Sequence, residues 1–489
     1  MTSSNRVRIT GVLENTPGTT PNTPRMRTAR WTGESLNMRT PTYIDGDEVN
    51  SDRMQEDPTQ VFKDVNGGLN VNVYYPVDLS LSSVLWQSKM MNDWANSPSR
   101  DNDGTADSVI TNVTASSGVI AVTTGAAFIA GQLVQLSGFT NSGNNRIAKI
   151  TTGSATVPAV GAGILTDEAA PPAAARMKVV GFVGASGDIS ATSTGLASSV
   201  LDFTTFTDLF VGKSLKIGGS AAGDRFATDA LNTFVVISAI AAHAITLSNL
   251  PTGWTTDDGS GKTIKVWYPD SIKNGTTQRT ATIEKGFLGQ AVPNYHVGKG
   301  MQVDTYTETW NMKGKVKGVY AFKGMGGSKS TTSLDSSPDA APTARNFASN
   351  VNAGRLSEGG SPLAGPNFCQ SLEWTISNGL QSDEDITQDS PVGNTEGDCE
   401  ITVKMSTYYG DSTLIDKFFN STPTSLFSYL VKDGQAFTRF FPRLTNTADG
   451  NPVASGRNTK VMLPLTAKAS RDTATGAVLI ADRYEYVEI

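Results

Sequence analysis

Cysteine and histidine are nearly missing from this chain of 489 residues, which holds two of each: Cys369, Cys399, His243 and His296. So few cysteines exclude a disulfide scaffold; one bridge is the most they allow, and a reduced intracellular chain is the simpler expectation. Neither histidine has a Cys or His partner nearby in sequence, so no metal site is expected and both are assigned structural roles. No apolar run approaches membrane-spanning length, and the opening MTSSNRVRITG carries no hydrophobic signal segment. Charge is sparse as well: 18% of residues are charged, with a formal net charge of −6. That balance lacks the basic excess of a dedicated nucleic-acid binder, but it suits a surface past which nucleic acid slides without sticking.

Catalytic signatures are also absent. There is no GxSxG elbow, no Walker A motif and no GxGxxG ahead of a helix. GMGGSKS at 324–330 has phosphate-loop glycines but not the Lys-Ser/Thr spacing, and it is expected to be a flexible loop. The acidic run Asp383, Glu384, Asp385, Asp389, Glu396 and Asp398 lacks EF-hand spacing and is expected to form a solvated loop. If it faced a pore it would repel a passing polyanion. Neither an enzyme nor a cofactor or metal protein is expected, and no catalytic, cofactor-binding or metal-binding residue is assigned.

What is present points to strands. The chain has 48 glycines and is rich in Ser, Thr and Asn, the composition of a turn-rich β-protein. Its 51.6 kDa allows two to four domains with real cores. The clearest signal lies between Met301 and Gly324. One register reads Tyr306, Glu308, Trp310, Met312, Gly314, Val316, Gly318, Tyr320, Phe322; the other reads Thr305, Thr307, Thr309, Asn311, Lys313, Lys315, Lys317. That alternation predicts two paired strands, or one long curved strand, with one face on a core. Gly314 and Gly318 mark a bend or bulge in the apolar register.

Elsewhere, Glu14 to Arg25 sets three prolines among threonines and reads as an extended arm or a tail. Asn66-Gly67-Gly68 reads as a turn between strands at Val61–Phe62 and Leu69–Val73. Asp78 to Trp94 predicts an amphipathic helix laid on the sheet, N-capped by Asp78 or Ser80. Composition then shifts to Ala, Gly, Ser and Val from about 106 to 272, a stretch with 9 basic and 11 acidic residues and a net of −2. A weak duplication runs through it. Phe128-Ile129-Ala130-Gly131 leads to Leu133, Leu136 and Gly138; Leu209-Phe210-Val211-Gly212 leads to Leu215, Ile217 and Gly219. The expected organisation is two small inserted all-β modules, 106–170 and 171–272, joined at the Ala169–Ala175 linker, between body segments 1–105 and 273–489. Polar boundaries suggest that the insert folds on its own core and can be excised. The Gly-Ser-Pro-Ala-rich residues 325–366 read as a projecting arm or mobile loop. A short helix is expected over Asp411–Phe419, and the last strands over Phe437–Phe441, Lys460–Leu465 and Ala477–Ile480.

The order of these motifs resembles the tail tube proteins (major tail proteins) of long-tailed bacteriophages with non-contractile tails. The resemblance is carried by Gly11-Val12-Leu13-Glu14-Asn15-Thr16-Pro17-Gly18-Thr19, Gly33-Glu34-Ser35-Leu36 and Glu48 to Arg53. It continues in the helix after the hairpin, Thr282-Ile283-Glu284-Lys285-Gly286, the 301–324 strands, Ser371-Leu372-Glu373-Trp374-Thr375 with Asn378, and Phe441-Pro442-Arg443. It covers about residues 5–100 and 275–489; the duplicated insert departs from it. It implies a mainly β subunit, a β-sandwich or part-barrel with a flanking α-helix, that has no enzymatic activity. It further implies stacked hexameric rings forming the virion tail tube, assembled in the host cytoplasm on a tape-measure protein. Tail terminator and tail-tip proteins would be further partners, genomic DNA would pass through transiently, and no membrane is involved. The alternatives are a capsid or other virion shell protein, which would normally show a longer spine helix, and a glycan-binding β-protein or adhesin, which would need export.

Overall fold

The alternation between Met301 and Gly324 resolves into a hairpin in the computed structural model, which describes residues 3–103, 109–363 and 365–489. Strand Asn294–Asn311 returns as Lys317–Lys323, with Tyr306 opposite Tyr320 and Thr309 opposite Lys317. Tyr306, Trp310, Tyr320 and Phe322 are buried, as the period of two requires. Gly314 lies in the turn. Gly318 lies under Tyr306, whose hydroxyl would be 2.8 Å from a Cβ placed there. The long strand changes partners along its length. Its first part pairs with Ala281–Phe287 and Gly326–Ser330, its second with Lys317–Lys323 and Cys369–Ser377. The change falls around Gly300, which has φ +63 and no room for a Cβ beside Met325. One strand thereby forms the corner between two stretches of sheet.

From that corner the body sheet extends both ways by antiparallel pairing. On one side Lys317–Lys323 pairs with Thr59–Asn72, and that strand with Asn37–Ile44. On the other, Cys369–Ser377 leads to Glu400–Tyr408, then Met462–Ala469, Gln435–Ala448 and Thr424–Lys432. Ile480–Tyr484 joins Gln435–Ala448, so the last three expected strands all form, the third displaced toward the C-terminus. The predicted short helix is Thr413–Phe419. The fold is mainly β with few helices.

Helix Leu81–Met90 starts where Ser80 accepts the Ser83 backbone N–H, 3.3 Å, and stops at Met91 in the left-handed region. It buries more of its circumference than an amphipathic stripe, including Ser83, Ser88 and Lys89. Ser88 Oγ accepts the Val303 N–H at 2.9 Å, which satisfies one of these polar groups inside the core. Trp86 meets Trp94, Tyr306, Trp374 and Phe437 with ring centroids 4.9–6.3 Å apart, so the helix is the plug around which the body sheet curves.

Nine strands between Gln132 and Trp267, with Ser99–Asp101 as a tenth, form one sheet; Ile110–Thr114, Val119–Val122 and Glu168–Ala169 form a separate three-stranded sheet, and both sheets share one apolar cluster. The duplicated sequence signal has a structural counterpart. Gln132–Ser137 pairs with Ile147–Lys149, Ser214–Ile217 pairs with Phe234–Ala241, and the two hairpins flank the central pair Arg176–Val183 and Lys265–Trp267. Gly131 and Gly212, equivalent in the two copies, have φ of +94 and +97.

The insert is not insulated from the body. Leu133, Val180, Phe234 and Trp267 pack with Phe427, Phe440, Ile480 and Tyr484 in a third apolar cluster. Beside it the wholly buried Arg483 donates to Asp270 at 3.2 Å, Asp78 at 2.8 Å, Asn96 at 2.9 Å, Ser83 Oγ at 2.7 Å and the Pro76 carbonyl at 3.1 Å. Lys178 ion-pairs with Asp270 and Glu485, and Arg176 with Asp78 and Glu485. Removal of 106–272 would expose the body's half of this cluster and take Asp270 from Arg483.

Three further expectations are corrected. Asn66-Gly67-Gly68 is not a turn: Thr59–Asn72 runs through it as one strand. Gly67 has φ +131, and a Cβ there would lie 2.3 Å from the Ser35 carbonyl oxygen, so close backbone approach is what the glycine permits. Of the excursion expected over 325–366, in which 364 lies outside the described residues, the segment 325–363 does not project, nor is 324–330 a loose loop. Gly326–Ser330 is paired strand, Asp335 accepts the Met26 N–H at 2.9 Å, and Arg30 donates to Asn346 at 2.8 Å. The polar chain is held by hydrogen bonds to its own body, which side-chain hydropathy does not register.

Burial alone would raise the carboxyls of Asp270 and Asp78, but the charges of Arg483 and Lys178 outweigh it and hold both below the usual carboxylate range. Their contribution is therefore complete at neutral pH and is lost as pH falls below ~4, the unfolded-state value, toward their lower folded values. Arg483→Met is expected to cost about 3–5 kcal/mol at pH 7 by stranding buried carboxylates. Thermal melts from pH 7 to pH 3 check this: the wild type loses stability with acid, and the variant's deficit shrinks along the same path.

Candidate functional site

What the fold offers most plainly is surface for pairing with other chains. Strands Asn37–Ile44 and Thr59–Asn72 run beyond the body as a two-stranded arm, registered from Asn37 opposite Asn66 to Ile44 opposite Thr59. Its base lies over Met38 and Val65, both buried, but its outer half is exposed on both faces. Tyr43 is 54% exposed, Ile44 59%, Met54 70% and Val49 99%, which is a large apolar outlay for an element with no core of its own. A lone hairpin is marginally stable in water, and exposed edges invite pairing, so the arm is shaped for a partner. The loop at its end carries Asp45, Asp47, Glu48, Asp52, Glu56 and Asp57 against Arg53 alone.

The N-terminal proline-rich stretch takes a different course. Gly18 N–H donates to Glu14 at 2.8 Å, Thr16 bridges Thr19, and Arg25 pairs with Asp339 at 2.9 Å ahead of the wholly buried Met26. It is tied to its own body at both ends.

The acidic run forms a second, smaller hairpin, Gln381–Asp383 with Gly393–Thr395. Asp389 pairs with Lys63 at the arm, while Glu384 and Asp385 are exposed and Ile386 is fully so. The histidines lie apart. His243 Nδ1 lies 2.9 Å from the Leu201 carbonyl in the insert, and His296 stacks edge-on to Phe287 with ring centroids 5.2 Å apart. Among the described residues no cluster of His, Cys, Asp and Glu is arranged to hold a metal. Cys369 and Cys399 are free thiols, both pushed up to about 11 by burial. Sequence reading missed the exposed apolar arm, although a signal was there: Tyr43-Ile44 and Val61-Phe62 are adjacent apolar pairs, which point to opposite faces of a strand and so cannot both meet one core.

The body core holds a charge group that sequence placed in an apolar register. Glu308 and Arg439 are both wholly buried and pair at 2.9 Å, and Tyr306 and Trp310 donate to the same carboxylate at 2.8 and 2.7 Å. Lys89 Nζ, also buried, lies 3.0 Å from the centre of the Trp86 ring and 3.3 Å from that of Tyr306, without a hydrogen-bond acceptor among the described residues. Burial pushes its ammonium well below the usual range, Glu308 offsetting part of this and Arg439 adding to it.

A mainly β subunit with an internal helix and an exposed apolar arm has the form of a protein that assembles with other chains. Residues 4–469 match the phage tail tube protein family, and the chain belongs to that family. No curated protein matches it. It is thus a structural, non-catalytic component of the virion tail that assembles with other copies into a tube.

Because Glu308 keeps Arg439 when Lys89 is removed, Lys89→Met is expected to be neutral or stabilising by about 1–3 kcal/mol. Arg439→Met strands Glu308 and is expected to cost about 3–5 kcal/mol. Denaturant unfolding of both variants checks the opposite signs.

Proposed function

We propose that the chain forms hexameric rings that stack around a channel, built on a tape-measure protein in the host cytoplasm and closed by tail terminator and tail-tip proteins. Genomic DNA passes through this channel without being held. The observation that carries the reading is the arm: apolar side chains exposed on both faces of a ribbon are stable only when another subunit covers them. The mild acidic balance supports free passage, since a basic lumen would retain DNA through its phosphates. In this reading 1–105 and 273–489 make the tube body, and 106–170 with 171–272 decorate its outside. The insert's own core and near-neutral charge support that placement, and so large a unit would block a narrow channel.

Electron microscopy of the purified protein tests it. Six-fold rings or tubes with insert density outside the wall are expected. Persistent monomers at high concentration overturn the reading; insert density inside the channel overturns its placement. Replacing 43–60 with a short Gly-Ser turn is expected to leave a folded subunit and to cut tube yield about tenfold or more, equivalent to about 1.4 kcal/mol per factor of ten. Sedimentation measures that yield.

A further inference from the structure

The base of the arm, together with strands Ala281–Phe287, Asn294–Asn311 and Gly326–Ser330, encloses an open pocket of about 470 Å³. Arg39, Lys285, His296 and Lys329 line it, Met38 and Phe287 supply apolar wall, and no carboxylate is among its lining residues. Lys285 is partnered by Glu34 at 2.7 Å, but Arg39 and Lys329 are exposed and have no ion pair among the described residues. Burial, then the charges of Lys285 and Lys329, hold His296 below its usual range, so the pocket's positive charge at pH 7 comes from the lysines and the arginine. Unpartnered cations around a concave, partly apolar surface select an acidic ligand with an apolar contact.

The same chain carries such a ligand elsewhere. The hairpin Gln381–Asp383 and Gly393–Thr395 presents Asp383, Glu384 and Asp385 next to Ile386, which is fully exposed. No lysine or arginine occurs between Leu380 and Val403 to neutralise it. It is also braced. Lys323 Nζ donates to the Leu380 carbonyl, Asp389 pairs with Lys63, and Gln278 donates to the Asn394 carbonyl at 3.0 Å. A pre-ordered acidic tip loses little entropy on docking. The arm's end loop is the other acidic element, but it carries Arg53 among its acids and presents its apolar groups over a longer span than this pocket.

We propose that the basic pocket seats the 381–395 hairpin of a second copy of this chain, with Asp383–Asp385 facing Arg39 and Lys329 and Ile386 against Phe287. The inference rests on the tube reading and assigns one of its subunit contacts. Charge complementarity sets the register between subunits and speeds their encounter, while Ile386 contributes apolar burial.

Two experiments on the full chain test it. With Cys369→Ser and Cys399→Ser as background, Ser328→Cys and Asp385→Cys together are expected to give a ladder of disulfide-linked subunits in oxidised tubes. Ser328→Cys with Asp47→Cys is expected to give none; a ladder from that pair instead assigns the pocket to the arm and overturns the proposal. Separately, Arg39→Glu with Lys329→Glu is expected to lower tube yield about tenfold at moderate salt, and adding Glu384→Lys with Asp385→Lys to restore it. Undiminished assembly of the first pair, or no rescue by the second, overturns the proposal while wild-type tubes keep the tube reading intact. If the first pair assembles fully but retains less nucleic acid, the pocket is a phosphate site and the proposal falls. Absence of wild-type tubes under all conditions defeats the tube reading itself.

Discussion

The arrangement of this subunit depends on the buried guanidinium of Arg483. It reaches the insert through Asp270, the start of the internal helix through Asp78, Ser83 and Pro76, and the linker through Asn96, all from a strand near the C-terminus. A lysine has too few donors for that set, and its point charge lacks the planar fork that faces several acceptors at once. Such a group is costly to desolvate, and only full pairing offsets the cost. Full pairing exists only when insert, helix and C-terminal strand are all in place, so the charge couples three distant parts of the chain.

The Glu308–Arg439 pair imposes a similar constraint on the body. Its carboxylate takes donors from Tyr306, Trp310 and Arg439, which aligns the corner strand with strand Gln435–Ala448 across the core. Lys89 differs, since its ammonium has aromatic faces and a nearby carboxylate but no acceptor in contact among the described residues. Cation–π attraction offsets part of its desolvation and no more.

Surface and interior follow different rules here. Apart from Lys89, the body core sets paired charges among packed aromatics, and the long polar segment 325–363 is fastened to it by hydrogen bonds. The arm breaks that pattern by exposing Tyr43, Ile44, Val49 and Met54. A tail tube subunit must remain soluble before assembly and hold firmly afterwards. On the proposed reading of the arm, acidic residues interspersed with apolar ones serve both needs, because the charge opposes indiscriminate association until a complementary surface is met.

Local pattern carried much of the architecture. Alternation through Tyr306, Trp310, Tyr320 and Phe322 specified a buried face, Asp78 and Ser80 marked a helix start of which the structure uses Ser80, and the paired Gly131 and Gly212 segments marked the repeated hairpins. Each of these is set by steric and solvation preferences within a few residues, so the sequence by itself determined them. It also held few histidines and cysteines, two of each. Gly67 as a place for close approach, Arg483 as the joint of three segments and the cations gathered beside His296 were decided only by tertiary structure. Their partners come from residues hundreds of positions away. No local rule states which distant carbonyl, carboxylate or ring will arrive, because that is settled by how the whole sheet curves around its helix.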